Sequence, residues 1–320
     1  MLKVKGRKTE MIPKGLLFFP VTPFQTDQSL NLPALKQHLE IGLNYEPGGL
    51  FVGCGAGEFH ALSENEILAV IKIAVETNKG RVPLYIGAGG QIQVAKNISA
   101  KAQDLGADGL LVFPPYMATP SDEGLLRYFD ELSCASSLQL IAYNRLGTVL
   151  TAELIRGLLN IKTVIGIKDG FGDFNKISEM IEIVSDWEIS NPNDRKITFM
   201  NGTPTAEICA VGFRELGITT YSSAVLSFAP IISSLFYKSL IKQNDVVVRS
   251  LLDNFYIPLA RIRDEIAGGA ISIMKAGCRI NGFDYGGVRA PYLDLSEEQT
   301  MRLTTVIKKG TEIATSLKEM

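Results

Sequence analysis

Short apolar, β-branched runs recur along the chain, each followed by a polar turn and a stretch with helical periodicity. Gly15-Leu16-Leu17-Phe18-Phe19-Pro20-Val21 is the first such run, and Thr22-Pro23-Phe24 ends it. Uninterrupted apolar runs of this length mark strands buried on both faces of a parallel sheet. A helix is predicted to open near Asn31, with Pro33 in its first turn, and to end around Tyr45. Further strands are predicted at 49–53, 82–87, 109–113, 139–143, 164–168, 197–201 and 218–221. Between them, Ser63-Glu64-Asn65-Glu66 supplies a capping box for one helix. Others are predicted at 94–105, 120–135, 151–159, through Ile177 and Ile181, and at 205–216. Eight strands alternating with helices give the cadence of a (β/α)8 TIM barrel. A doubly wound sheet competes, but the first strand–helix turn, Val21-Thr22-Pro23-Phe24, carries no glycine fingerprint for a nucleotide. From Ala229 onward the pattern is helical only. The expected organisation is an N-terminal extension at 1–14, the barrel at 15–228 and a C-terminal helical appendage at 229–320.

Composition adds exclusions. Of 320 residues, 46% are hydrophobic and 21% charged, as in a globular protein with a large core. The 32 basic and 34 acidic residues are interspersed, so no basic tract points to nucleic acid. The four cysteines and two histidines have no metal-ligand spacing, so no metal is expected. The stretch from Met1 to Glu10 is basic and polar with no apolar h-region, and nothing elsewhere approaches a membrane span. A cytoplasmic protein with reduced thiols is expected.

The chemistry centres on Val164-Ile165-Gly166-Ile167-Lys168-Asp169-Gly170. A lysine ending a buried strand points into the barrel mouth, where desolvation favours the amine, or it snorkels to solvent. The amine is a nucleophile for carbonyl substrates. Tyr143 ends the preceding strand, either as a core aromatic or as a proton shuttle beside that amine. The loop Gly53-Cys54-Gly55-Ala56-Gly57 is a tight turn or a nest of amides for a carboxylate or phosphate; no Gly-Lys-Ser/Thr follows for a nucleotide. Ser222-Ser223, expected just past strand eight, offer hydroxyls to the mouth or form a polar loop. Arg145 pairs a substrate carboxylate or lies on the surface. His60 reads as structural, and Trp187 and Phe236-Tyr237 as packing residues.

Together, Gly55-Ala56-Gly57-Glu58, Pro114-Pro115-Tyr116, Tyr143-Asn144 and Gly166-Ile167-Lys168-Asp169 resemble the dihydrodipicolinate synthase / N-acetylneuraminate lyase superfamily. Phe19-Pro20-Val21-Thr22-Pro23-Phe24, Tyr143-Asn144-Arg145, Lys168-Asp169-Gly170 with Gly172-Asp173, Pro204-Thr205-Ala206-Glu207, Tyr221-Ser222-Ser223-Ala224 and the run from Lys275 to Pro291 resemble its 5-dehydro-4-deoxyglucarate dehydratase branch. The resemblance implies a Schiff base on Lys168 with Tyr143 as proton shuttle and Tyr116 as a further relay. It implies that Gly55, Ala56 and Gly57 hold the carboxylate beside the keto group. Arg145, Asn201, Ser222 and Ser223 would face the rest of a keto-deoxy sugar acid. The implied reaction is decarboxylating dehydration to 2,5-dioxopentanoate, without a cofactor, in a homo-oligomer, commonly a tetramer built as a dimer of dimers. Ala56 departs from the branch, which has threonine there, and so lacks a hydroxyl for the carboxylate or for Tyr143. Two alternatives remain: a Schiff-base pyruvate aldolase, lyase or synthase of the same superfamily, and a catalytically silent sugar-acid-binding paralogue.

Overall fold

The structure, a computed structural model, describes residues 12–116, 118–145 and 148–318. Eight parallel strands close into a barrel in chain order. They are β1 (Leu16–Phe18), β2 (Gly49–Val52), β3 (Leu84–Ala88), β4 (Gly109–Val112), β5 (Gln139–Asn144), β6 (Val164–Asp169), β7 (Thr198–Asn201) and β8 (Tyr221–Ser223). The helices that follow them in turn are α1 (Leu32–Leu43), α2 (Glu64–Asn78), α3 (Ile92–Leu105), α4 (Asp122–Ala135), α5 (Ala152–Leu159), α6 (Phe174–Ser190), α7 (Ala210–Glu215) and α8 (Pro230–Ile241). This is the (β/α)8 TIM barrel that the alternation predicts. Then come α9 (Asp245–Leu251), a π-helical turn at Leu252–Tyr256, α10 (Ile257–Asp264), α11 (Gly269–Ile280) and α12 (Glu297–Lys318). Among the described residues no strand lies beyond β8, and no helix is long and apolar enough to cross a membrane.

The helix starts follow local chemistry. The Asn31 side chain accepts from the Ala34 amide, and Pro33 sits in the first turn of α1. Ser63 and Glu66 form the reciprocal capping box at α2.

Side chains alternate between two cores, as the two-residue strand period requires. Leu17, Phe51, Tyr85, Leu111, Ile141 and Met200 fill the barrel interior. Phe18, Leu50, Ile86, Leu110, Ala142 and Ile167 pack outward against the helices. Strand β6 breaks this alternation once. Leu140 pairs with Val164 but Ile141 pairs with Gly166, so Ile165 is the extra residue of a bulge. Val164 faces the helices; strict alternation from there would send Lys168 the same way. The bulge shifts the phase by one and turns Lys168 inward, beside Tyr143.

Strand eight begins later than its apolar pattern predicts. The Gly217 amide donates to Arg214 O and the Ile218 amide to Phe213 O, so Ile218 closes the end of α7 instead of starting a strand. Tyr221, Ser222 and Ser223 are the residues that pair with Leu16, Leu17 and Phe18. Both serines therefore lie within β8, on opposite faces, and not in a loop past it.

Candidate active site

Lys168 is buried at the carboxyl end of β6, in register with Tyr143 of β5 and Met200 of β7. Its Nζ lies 3.8 Å from the centre of the Tyr143 ring and 5.4 Å from that of Phe19. The Gly202 carbonyl joins the pair: it lies 3.5 Å from Lys168 Nζ and accepts from Tyr143 Oη at 3.1 Å. A side chain at Gly202 has no room, since a Cβ there would fall 2.3 Å from Lys168 Nζ. These groups open into a cavity of about 1020 Å³ at the carboxyl ends of the strands.

The neighbouring outward residues brace this arrangement. Asp169 accepts from Asn144 Nδ2 at 2.7 Å and from the Phe171 and Gly172 amides at 3.2 and 2.7 Å. Burial raises its carboxyl above the usual range, against the pull of those donors. Asn144 Oδ1 in turn accepts from the Leu150 amide. The chain is thus tied down on both sides of the Lys168–Tyr143 pair.

Of the residues predicted to meet the substrate, Gly55, Ala56, Arg145, Ser222 and Tyr116 line the cavity with Lys168 and Tyr143. The amides of Gly55 and Ala56 have no acceptor among the described residues, which leaves them available to an anion. Arg145 stacks its guanidinium 5.2 Å from the Tyr143 ring centre. Tyr116 is about half exposed (53%) at the rim. Three others are turned away. Gly57 is buried, and its carbonyl accepts from Thr22 Oγ1. Asn201 binds its own loop: Nδ2 donates to Ala206 O, and Oδ1 accepts from the Thr203 amide and hydroxyl. Ser223 Oγ donates to Glu207 Oε1 at 2.6 Å and meets Ser233 Oγ at 2.9 Å. Strand parity explains the last two. Asn201 pairs with outward Asp169 and Ser223 with outward Phe18, whereas Ser222 pairs with inward Leu17. Cys54 packs in the inner core, where burial pushes its thiol up despite the nearby Lys168 ammonium.

Sequence reasoning missed the clamp that holds the Gly55–Ala56 loop. Glu58 is fully buried in a left-handed conformation (φ +58°). Its Oε1 pairs with Lys275 Nζ at 2.7 Å, and its Oε2 accepts from the Arg289 amide at 2.8 Å. Lys275 also donates to Gly287 O and lies over the Phe24 ring. Burial holds the Lys275 ammonium below its usual range, opposed by Glu58. The Arg289 guanidinium grips both oxygens of Glu66, at 2.6 and 3.0 Å, pulling that carboxyl down to about 2. Only the glycine–glutamate spacing and the late Lys-Ala-Gly to Arg-Ala-Pro run hinted at these partners. Also missed was Arg263, at the end of α10, which lines the cavity. Among the described residues no group of His, Cys, Asp or Glu could hold a metal ion.

The sequence matches the dihydrodipicolinate synthetase family over residues 12–310. Among similar curated proteins, "Probable 5-dehydro-4-deoxyglucarate dehydratase 1" of Streptomyces avermitilis is 41% identical over 93% of this chain and 94% of its own. "Probable 5-dehydro-4-deoxyglucarate dehydratase" of Bradyrhizobium diazoefficiens is 36% identical over 96% and 95%. Among solved structures, a prophage protein of the dihydrodipicolinic acid synthase family from E. coli K12, in complex with pyruvate, superposes with a TM-score of 0.82 at 24% identity. That match covers 93% of this chain and 98% of the other. Dihydrodipicolinate synthase from Oceanobacillus iheyensis gives 0.81 at 21% identity, covering 95% and 96%.

Proposed function

The chain belongs to the dihydrodipicolinate synthetase family, and on that premise we propose that it is a decarboxylating dehydratase. It converts 5-dehydro-4-deoxy-D-glucarate to 2,5-dioxopentanoate, carbon dioxide and water through a Schiff base on Lys168. The observation that carries this reading is the inward Lys168 ammonium against the Tyr143 ring, in a cavity lined by Arg145, Arg263 and the free Gly55 and Ala56 amides. The relatives named for that dehydratase supply the substrate.

In this mechanism the Gly55 and Ala56 amides hold the carboxylate beside the keto group. Lys168 Nζ attacks the keto carbon, and the Tyr143 phenol moves the protons that turn the carbinolamine into an iminium. The iminium acidifies the adjacent CH2. Loss of that proton gives an enamine, which expels the β-hydroxyl as water. The unsaturated iminium then accepts the electron pair of the bond to the far carboxylate, which departs as carbon dioxide. The resulting enol collapses to the aldehyde, and hydrolysis frees the lysine. Per turnover one water and one carbon dioxide leave, and one proton is taken up. The chemistry needs no metal, flavin or nicotinamide. With no threonine hydroxyl at position 56, Ser222 and Tyr116 are the cavity hydroxyls that serve the relay. Asn201 and Ser223 act from behind, by fixing the strands that carry the site. The enzyme works in the cytoplasm as a homo-oligomer, expected to sediment as a tetramer.

The test is intact-protein mass spectrometry after borohydride, with the keto-deoxy-hexarate in one tube and pyruvate in another. The expected result is a hexarate-derived adduct on the wild type, carbon dioxide in the unreduced reaction, and neither with Lys168→Ala of unchanged circular dichroism. An adduct with pyruvate alone reassigns the protein to an aldolase, and no adduct with either removes the Schiff-base reading.

A further inference from the structure

The cavity carries more positive charge than Schiff-base chemistry requires. Lys168, Arg145 and Arg263 line it, and Asp264 is the carboxylate that does. That leaves a formal charge of +2 facing the ligand. One cation is accounted for by Lys168, whose Schiff base carries the positive charge as an iminium. The question is which of the arginines meets the second carboxylate of a dianionic substrate.

Arg145 is exposed and rests on the face of Tyr143. Arg263 is held much more firmly, its side chain only 16% exposed. Its Nη1 donates to Thr205 Oγ1, while Nε and Nη2 both reach Asp264 Oδ1, at 2.9 and 2.8 Å. A guanidinium has five N–H donors. Two of them make hydrogen bonds, from Nη1 and from Nε, and Nη2 adds an ion-pair contact, which leaves N–H groups on both Nη1 and Nη2 without a partner among the described residues and available to a carboxylate. Asp264 is 67% exposed, so solvent weakens its hold on the charge. The tie to Thr205 anchors the guanidinium to the loop after β7, the loop that also carries Gly202, whose carbonyl touches Lys168 Nζ. Both cations therefore face one cavity. Ile266, Ala270, Ile271 and Met274 line the same cavity, and such apolar walls favour ionic pairing over hydration.

We propose that Arg263 is the specificity-determining residue of this site, reading the carboxylate remote from the keto group and so selecting dicarboxylic over monocarboxylic keto-deoxy acids. The assignment rests on the dehydratase reading above. It has a kinetic signature. Pairing with a carboxylate that later leaves as neutral carbon dioxide stabilises the bound substrate more than the transition state. Loss of Arg263 therefore raises KM and leaves kcat unchanged or slightly raised.

The experiment compares the keto-deoxy-hexarate with the keto-deoxy-hexonate, in which the remote carboxylate is a primary alcohol. The readout is the ligand concentration that gives half-maximal borohydride trapping, alongside KM and kcat for the dicarboxylate. Arg263→Gln retains a donor for Thr205 but removes the charge, and Arg263→Lys restores charge without the fork. For Arg263→Gln the half-saturating hexarate concentration is expected to rise about ten- to hundredfold. The hexonate value should stay within about twofold, and Arg263→Lys should recover part of the loss. Equal weakening for both acids, or no weakening for either, overturns the assignment while leaving the dehydratase reading intact. The wild type alone provides a second check, because equal affinity for the two acids overturns it without any variant. Failure of the wild type to trap the hexarate at all removes the dehydratase reading and this assignment together.

Discussion

At Gly202 a single added methyl group would strike the reacting lysine itself. An added Cβ would lie 2.3 Å from Lys168 Nζ and 2.7 Å from its Cγ, so the lysine would have to move. A displacement of about 1 Å at a reacting atom can cost about a hundredfold in rate. Gly202→Ala should lower turnover by about that factor while the melting temperature stays near that of the wild type; unchanged kinetics would contradict the packing described. Glu207 makes a second case at this scale. It is fully buried against Ser223, with the Tyr221 and Tyr256 phenols nearby, and burial raises its carboxyl to about 7. In the unfolded chain the group titrates near about 4.3. Between those values the folded state binds the extra proton, so this contribution to stability falls as pH rises from about 4.3 to about 7, by at most about 3 kcal/mol. Urea denaturation across that range should show a shallower decline for Glu207→Gln than for the wild type. Identical slopes would mean that Glu207 does not titrate there. Sequence reading could reach Lys168 and Tyr143 because both end apolar strands in a barrel. It could not tell Ser222 from Ser223, or see Asn201 turning outward, because strand parity depends on where each strand begins.

At the scale of elements, the bulge at Ile165 and the clamp on the second loop decide whether the site exists. The β6 run was legible as a buried strand, yet its pattern cannot reveal an extra residue, since Val164, Ile165 and Ile167 are apolar on either face. The capping box at Ser63 was legible because its partners lie three residues apart. Glu58 and Arg289 lie 231 positions apart, and no local pattern joins them. Their energetic weight can still be argued from burial. Glu58 and Lys275 are both fully buried, so removing one partner leaves an uncompensated charge in the core. Lys275→Met should destabilise the protein by about 3–5 kcal/mol and weaken substrate trapping through the loosened Gly55–Ala56 loop. Glu58→Gln with Lys275→Met should recover part of that stability. If the double variant is no more stable than Lys275→Met, the pair is not coupled, and equilibrium urea unfolding of the four proteins reads this directly.

For the molecule as a whole, the same fold closes a sheet and separates charge. Eight strands meeting in chain order bring residues from distant parts of the sequence to one end of the barrel, a closure foreseen from the alternation together with the missing glycine fingerprint after the first strand. The distribution of charge was not foreseeable, because Arg263 joins the cavity only when the end of α10 meets the loop after β7, at Thr205. The whole chain carries a net charge of -2, yet the cavity presents a formal +2. A dianionic substrate is therefore weakly repelled at long range and drawn in once within the screening length of about 10 Å at 0.1 M salt. Salt should then act mainly on capture. Raising sodium chloride from about 20 to about 200 mM should lower kcat/KM for the hexarate roughly three- to tenfold, with kcat nearly constant. Arg263→Gln removes half of that formal charge, so its salt dependence should be visibly flatter. A wild-type kcat/KM that does not respond to salt would show that the arginines are neutralised within the assembled enzyme, and that recognition rests on the amide nest and the hydroxyls instead.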